Sequence, residues 1–225
     1  MTNEAENLRS KFLWLEQEVA IANTYFHISN GLEDAYFGAS SRDFAKSREF
    51  WGYTLRAHFQ LAILYLSRVY DVYRDRGDRP EEDVFHLLRF VEEVNWAQLP
   101  DETRKSQHRE DIEFLQRKSP DPSVSKLRKL RHKLLAHSNI NLVKGGVATF
   151  GEENALRRFL NENGLRREEI QSLIDKAFSI LERWKDQYNV RTSIQKLARE
   201  CDDYKFVLDS LKHPNDLADK APANK

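Results

Sequence analysis

FWGYTLRAHFQLAILYLSRVYD, Phe50 to Asp71, decides the fold class. Trp51, Leu55, Phe59, Ala62, Leu66, Val69 and Tyr73 recur at spacings of 4 and 3. A period near 3.6 is that of an amphipathic helix, and alternation of the strand type is absent from the stretch. Gly77 and Pro80 supply the stop. Upstream, Leu8, Phe12, Leu15, Val19, Ala22 and Phe26 keep the same spacing, and Gly31 is the expected end of that helix.

Downstream, Val84, Leu87, Val91 and Val94 mark a shorter helix. Residues 101–118 read as a helix with few apolar positions, hence a solvated outer one. Asp121 followed by Pro122 fits an N-cap with proline at the first helical position, and Val124, Leu127, Leu130 and Leu134 face inward from that helix. The segment 138–151, SNINLVKGGVATFG, breaks the pattern; Gly145-Gly146 suits a small β-hairpin and equally a plain loop. A short helix near 152–162 follows. Ile170, Ile174, Ala177, Leu181, Trp184 and Tyr188 then give another long helix, and Ile194 to Leu211 a last one behind a Thr192/Gln195 capping box. Together these elements predict an all-α, antiparallel helical bundle. It forms a single domain over 1–213 with an irregular or hairpin insertion at 138–151, and 214–225 is expected to be a disordered tail.

Composition narrows the function. The chain has 225 residues with 36 Lys+Arg against 36 Asp+Glu, so any polyanion site is a local patch and not a general basic coat. The single cysteine, Cys201, excludes an internal disulfide and a thiolate zinc cluster. No Gly-rich phosphate loop and no HExxH occurs. Asp83-x-x-His86 is one acid–histidine pair, where a carboxylate-bridged di-iron bundle needs two. No cofactor and no metal site is expected. A polar N-terminus and short apolar runs predict a cytoplasmic protein with no membrane segment.

The stretch that carries chemistry is KLRKLRHKLLAHSN, Lys126 to Asn139, in which five of the eight residues from Lys126 to Lys133 are basic. Lys126, Lys129, Lys133 and His137 step by 3, 4 and 4 along one helical face, flanked by Arg128 and Arg131. A cationic stripe ending in a histidine can hold a phosphodiester and move a proton, but on the residues alone a solvated face with an incidental histidine is the first reading. Arg68 and Asp71 lie near the end of the long helix and read first as a buried pair tying helices together. The other histidines, His27, His58, His86, His108 and His213, share no spacing and read as structural or surface groups.

RHKLLAH, Arg131 to His137, resembles the motif of the HEPN superfamily (higher eukaryotes and prokaryotes nucleotide-binding): arginine, a polar residue, a spacer and histidine on a bundle helix. Phe50 to Asp71 resembles the long early helix of its abortive-infection branch. A second match, Arg79 to His86, has Pro80 where the motif has a polar residue. The resemblance spans about residues 45 to 190 and implies a metal-independent endoribonuclease of a toxin or phage-defence system. The composite site would form across a homodimer. By that likeness Arg131 binds the scissile phosphate, His137 is general base or acid for attack of the ribose 2′-OH, and His132 orients the site or shares proton transfer. Lys126, Arg128, Lys129, Lys133, Ser138 and Asn139 hold the RNA, with Arg68 and Asp71 in support. An antitoxin or other regulatory partner is also implied, although Asn139 stands where some relatives carry a tyrosine that such a partner modifies. The alternative is a non-catalytic helical module that binds nucleotide, RNA or protein. Six residues advance a helix by about 600°, so Arg131 and His137 lie about 120° apart on an ideal helix. The motif therefore requires a helix end near Ala136 or a second protomer.

Overall fold

The structure, a computed structural model, describes residues 3–38, 47–71, 85–116, 118–131, 165–188 and 190. Among them the chain forms six α-helices, two 3-10 turns and no strand. The helices are α1 (Asn3–Phe37), α2 (Arg48–Val69), α3 (Leu87–Glu92), α4 (Glu102–Leu115), α5 (Pro122–Arg131) and α6 (Arg167–Trp184), with 3-10 turns at Trp96–Gln98 and Lys185–Tyr188. The insertion at 138–151, the helix near 152–162, the last helix and the tail lie outside the described residues.

α1 and α2 form the main antiparallel pair. Trp14 and Glu18 sit against Arg68 at the far end of α2, while Tyr25 meets Tyr65 and His58 further back along it. The apolar stripes predicted for the two helices are the ones that meet. Phe12, Leu15, Val19, Ala22 and Phe26 are buried, as are Leu55, Phe59, Ala62, Leu66 and Val69. α6 also runs antiparallel to α1: Arg167 at its start bonds Glu33 and Asp34, and Tyr188 beyond its end packs against Phe12. Burying a Leu, Ile or Phe side chain contributes about 1.5–3 kcal/mol each, so these shared stripes dominate the stability of the bundle. No helix among the described residues is long and apolar enough to cross a membrane.

Two expected stops move. Gly31 does not end α1, which continues to Phe37. A mid-helix glycine costs only about 0.5–1 kcal/mol, and buried Leu32 together with the Glu33–Arg167 ion pair outweighs it. The stop is Gly38, where an added Cβ would collide with the Asp34 carbonyl. α2 ends at Val69, short of Gly77. Tyr70 still donates its N–H to Leu66 (3.2 Å), but its own carbonyl is taken by Arg128 (3.0 Å) and its hydroxyl donates to the Leu173 carbonyl (2.7 Å). The end of α2 is thereby pinned to α5 and α6.

α4 is the solvated helix that the sequence predicts, with Leu115 as its one buried apolar residue among those described. Its inward face is polar instead. Arg104 donates to the Arg183 carbonyl (3.1 Å) and His108 Nε2 to the Val91 carbonyl (2.9 Å). The fully buried Asp111 accepts two bonds of 2.6 Å from Arg183 Nη1 and one of 2.9 Å from Trp184 Nε1.

Candidate functional site

The basic helix α5 begins as expected: Asp121 Oδ1 accepts from the Ser123 N–H (2.7 Å) ahead of Pro122. Val124, Leu127 and Leu130 are buried and seat the helix against α2 and α6. This register fixes the direction of every cation between them.

Lys126 leaves the helix toward α6 and bonds Glu169 Oε1 (2.7 Å). Glu169 also accepts from the Arg166 N–H (2.6 Å), so this carboxylate caps the start of α6, the end at which a negative charge complements the helix dipole. Arg128 turns into the protein. Its Nε donates to the Tyr70 carbonyl (3.0 Å), Nη1 to Gln116 (3.1 Å) and Nη2 to Leu115 (2.8 Å). One guanidinium fork thus closes carbonyls at the ends of both α2 and α4, groups that a helix terminus otherwise leaves without intrahelical partners. Burial holds its pKa below the usual guanidinium value, and the nearby Asp71 and Tyr70 oppose that shift. Lys129 is exposed.

Arg131, the motif arginine, donates from Nη1 to Asp71 Oδ2. The expected pairing of Asp71 with Arg68 is therefore overturned. Arg68 instead pairs with the buried Glu18 at 3.1 Å and lies over the Trp14 and Tyr65 rings. The reason is burial: Glu18 sits almost wholly out of water facing α2, and the cation at the end of that helix offsets its charge. Even so, burial raises the Glu18 carboxyl pKa, with Arg68 opposing it.

His86 joins the same region. It is buried, and its Nδ1 accepts from the Arg89 N–H (3.1 Å) as the N-cap of α3, which fixes the proton of the neutral ring on Nε2. Burial lowers its pKa, and Arg89 and Arg128 add to this while Asp71 opposes it. The structural role expected for this histidine is the one found. His132, Lys133, His137, Ser138 and Asn139 lie outside the described residues.

The described half of the site is thus a post and an arm. The post is the end of α2, held by Tyr70 and Arg128; the arm is Arg131, tied to Asp71 on that post and still exposed enough to meet a ligand. Asp71 and Arg131 both belonged to the sequence reading, but their pairing did not. Arg128 as a holder of carbonyls, Glu18 and Asp111 were missed. The signal for Asp111 was present: Arg104, His108, Asp111 and Leu115 repeat at 4, 3 and 4, an inward face written in polar residues.

Comparison with known proteins gives a match of the family model described as HEPN_AbiU2: AbiU2 over residues 5–196. Neither a curated protein nor a solved structure matches the chain significantly.

Proposed function

The chain belongs to the HEPN_AbiU2 family of abortive-infection HEPN domains, and from that premise we propose that it is a metal-independent endoribonuclease of a toxin or phage-defence system. RNA is cleaved by attack of a ribose 2′-OH on the adjacent phosphate, at a composite site formed in a cytoplasmic homodimer. The observation that carries this reading is Arg131, the arginine six residues before His137 in the motif read from sequence, whose guanidinium is tied to Asp71 from the basic helix α5. A guanidinium fork suits two phosphate oxygens and stabilises the charge that builds on them. His137 takes the 2′-OH proton or returns one to the leaving oxygen, work that general acid–base catalysis supplies at about 10²–10⁴-fold. His132 orients the site, and Lys129, Lys133, Ser138 and Asn139 hold the strand. Lys126 and Arg128 also belong to the RNA-binding set read from sequence; their bonds to Glu169 and to three carbonyls give them a prior task in the fold.

The test is incubation of purified protein with mixed cellular RNA in excess EDTA beside His137→Ala and Arg131→Ala variants. Cleavage leaving 2′,3′-cyclic phosphate ends by wild type alone supports the reading. Equal products from all three proteins, or none from wild type, overturn it. A second reading, a non-catalytic module binding nucleotide, RNA or protein, draws on one observation: Lys126, Arg128 and Arg131 all spend donors inside the fold. It predicts saturable, salt-sensitive RNA binding with no products.

A further inference from the structure

We propose that Asp71 is a positioning residue for Arg131 that trades phosphate affinity for orientation; this rests on the reading that Arg131 binds the scissile phosphate. Three observations carry it. First, the bond is made by one terminal nitrogen, Nη1, to one carboxylate oxygen, Oδ2. A guanidinium offers five N–H donors, so a tie at Nη1 restrains one corner of the fork while leaving other donors for a ligand. Second, the side chains of Arg131 and Asp71 are 38% and 20% exposed, so the carboxylate is the more enclosed partner and the arginine the one within reach of solvent. Third, the carboxylate stands on a rigid mount. Tyr70, its neighbour in the chain, has its carbonyl held by Arg128 and its hydroxyl bonded to Leu173. The bonds on Tyr70 anchor the backbone that carries Asp71 to α5 and α6.

The consequence is a conflict between two anions. A phosphate on the free edge of the fork would face the Asp71 carboxylate across one guanidinium; at a separation on the order of 6 Å, and a dielectric between that of a protein surface and that of water, repulsion corresponds to about a tenfold loss of affinity. What the carboxylate returns is direction, since a misplacement of about 1 Å at a reacting centre costs on the order of 100-fold in rate. A tie serving stability alone has no such signature, because its removal does not tighten binding.

The experiment uses the full chain. A fluorescein-labelled single-stranded RNA is titrated against the His137→Ala protein with Asp71 intact and with Asp71→Asn, and turnover is measured for Asp71→Asn in the otherwise wild-type protein. The expected result is about tenfold tighter binding together with about 100-fold slower turnover, a lowered KM with a lowered kcat. Adding Arg131→Ala abolishes the gain in affinity, because the effect passes through that arginine. Unchanged or weaker binding, or unchanged turnover, overturns the proposal. If Asp71→Asn fails to fold by circular dichroism, Asp71→Glu keeps the charge while shifting the fork. It is then expected to slow turnover without tightening binding, and wild-type turnover there overturns the proposal. Cleavage by wild type with an indifferent Asp71→Asn removes only this inference. A wild type that neither binds nor cleaves RNA removes the functional reading with it.

Discussion

Replacing Arg128 separates its observed role as a structural staple from its proposed one as a phosphate ligand. In Arg128→Met the apolar stem survives and three carbonyls lose a charged donor: Tyr70 and Leu115 in part-buried surroundings, Gln116 in an exposed one. A hydrogen bond contributes about 0.5–1.5 kcal/mol net, more where the abandoned group stays buried, so the sum is about 3 kcal/mol. Arg128→Lys keeps the charge but replaces a planar fork by a single ammonium on a flexible stem. It recovers one carbonyl of the three, and its expected loss is about 2 kcal/mol on the same per-bond figure. Urea denaturation checks this, provided that the slope m is unchanged so that midpoints report stability. A phosphate ligand on the surface behaves in the opposite way: Lys retains most of the electrostatic attraction and stability does not move. A lysine variant within about 0.5 kcal/mol of wild type, the scatter of ordinary surface substitutions, refutes the staple, and with weakened RNA binding it returns Arg128 to the strand.

Three further outcomes follow from buried polar groups. Asp111→Asn leaves Arg183 without its two-oxygen partner and is expected to cost about 3 kcal/mol, read from urea midpoints; a loss under about 1 kcal/mol contradicts the geometry. Glu18 has its carboxyl pKa raised by burial, so the folded state holds that proton more tightly than the unfolded one. Its contribution to stability falls as pH rises above the ordinary value of 4.5. Glu18→Gln is expected to remove that slope and to lie within about 1 kcal/mol of wild type at pH 7.5, whereas a loss above about 2 kcal/mol identifies the Arg68 pair as a net stabiliser. His86 runs the other way: burial lowers its pKa, the unfolded chain binds the extra proton, and stability is lost as pH falls below the ordinary value of 6.5. His86→Asn keeps an acceptor for the Arg89 N–H without titrating, so comparison of the two proteins at pH 7.5 and 5.5 is expected to show a shallower acid loss in the variant.

The helices of the bundle were legible because their cores obey one rule. The stripes of α1, α2, α5 and α6 are apolar at helical spacing, and the members whose side chains the structure describes are buried as read except Trp51, which is half-buried, while Tyr73 and Leu134 lie outside the described residues. Their ends were not legible, because an end is decided by what meets it. Gly31 is a plausible stop in isolation and fails because Leu32 and Glu33 have partners on other elements; Tyr70 is no stop at all until Arg128 takes its carbonyl. The site divides in the same way. The sequence singles out Arg131 by motif and Asp71 by place, yet pairs Asp71 with Arg68, the near neighbour in the chain. Spacing within a helix carries no knowledge of Glu18, 50 residues upstream, whose burial claims Arg68 and leaves Asp71 to the motif arginine. Charge density misleads for a related reason. Lys126, Arg128, Lys129 and Arg131 look equivalent in a basic run, but the register set by Val124, Leu127 and Leu130 sends the first toward Glu169 and the second onto helix ends, leaves the third exposed and gives the fourth to Asp71. The apolar residues of α5 therefore assign the tasks of its cations, and a substitution at Leu127 or Leu130 that rotates the helix is a change to the site as much as to the core.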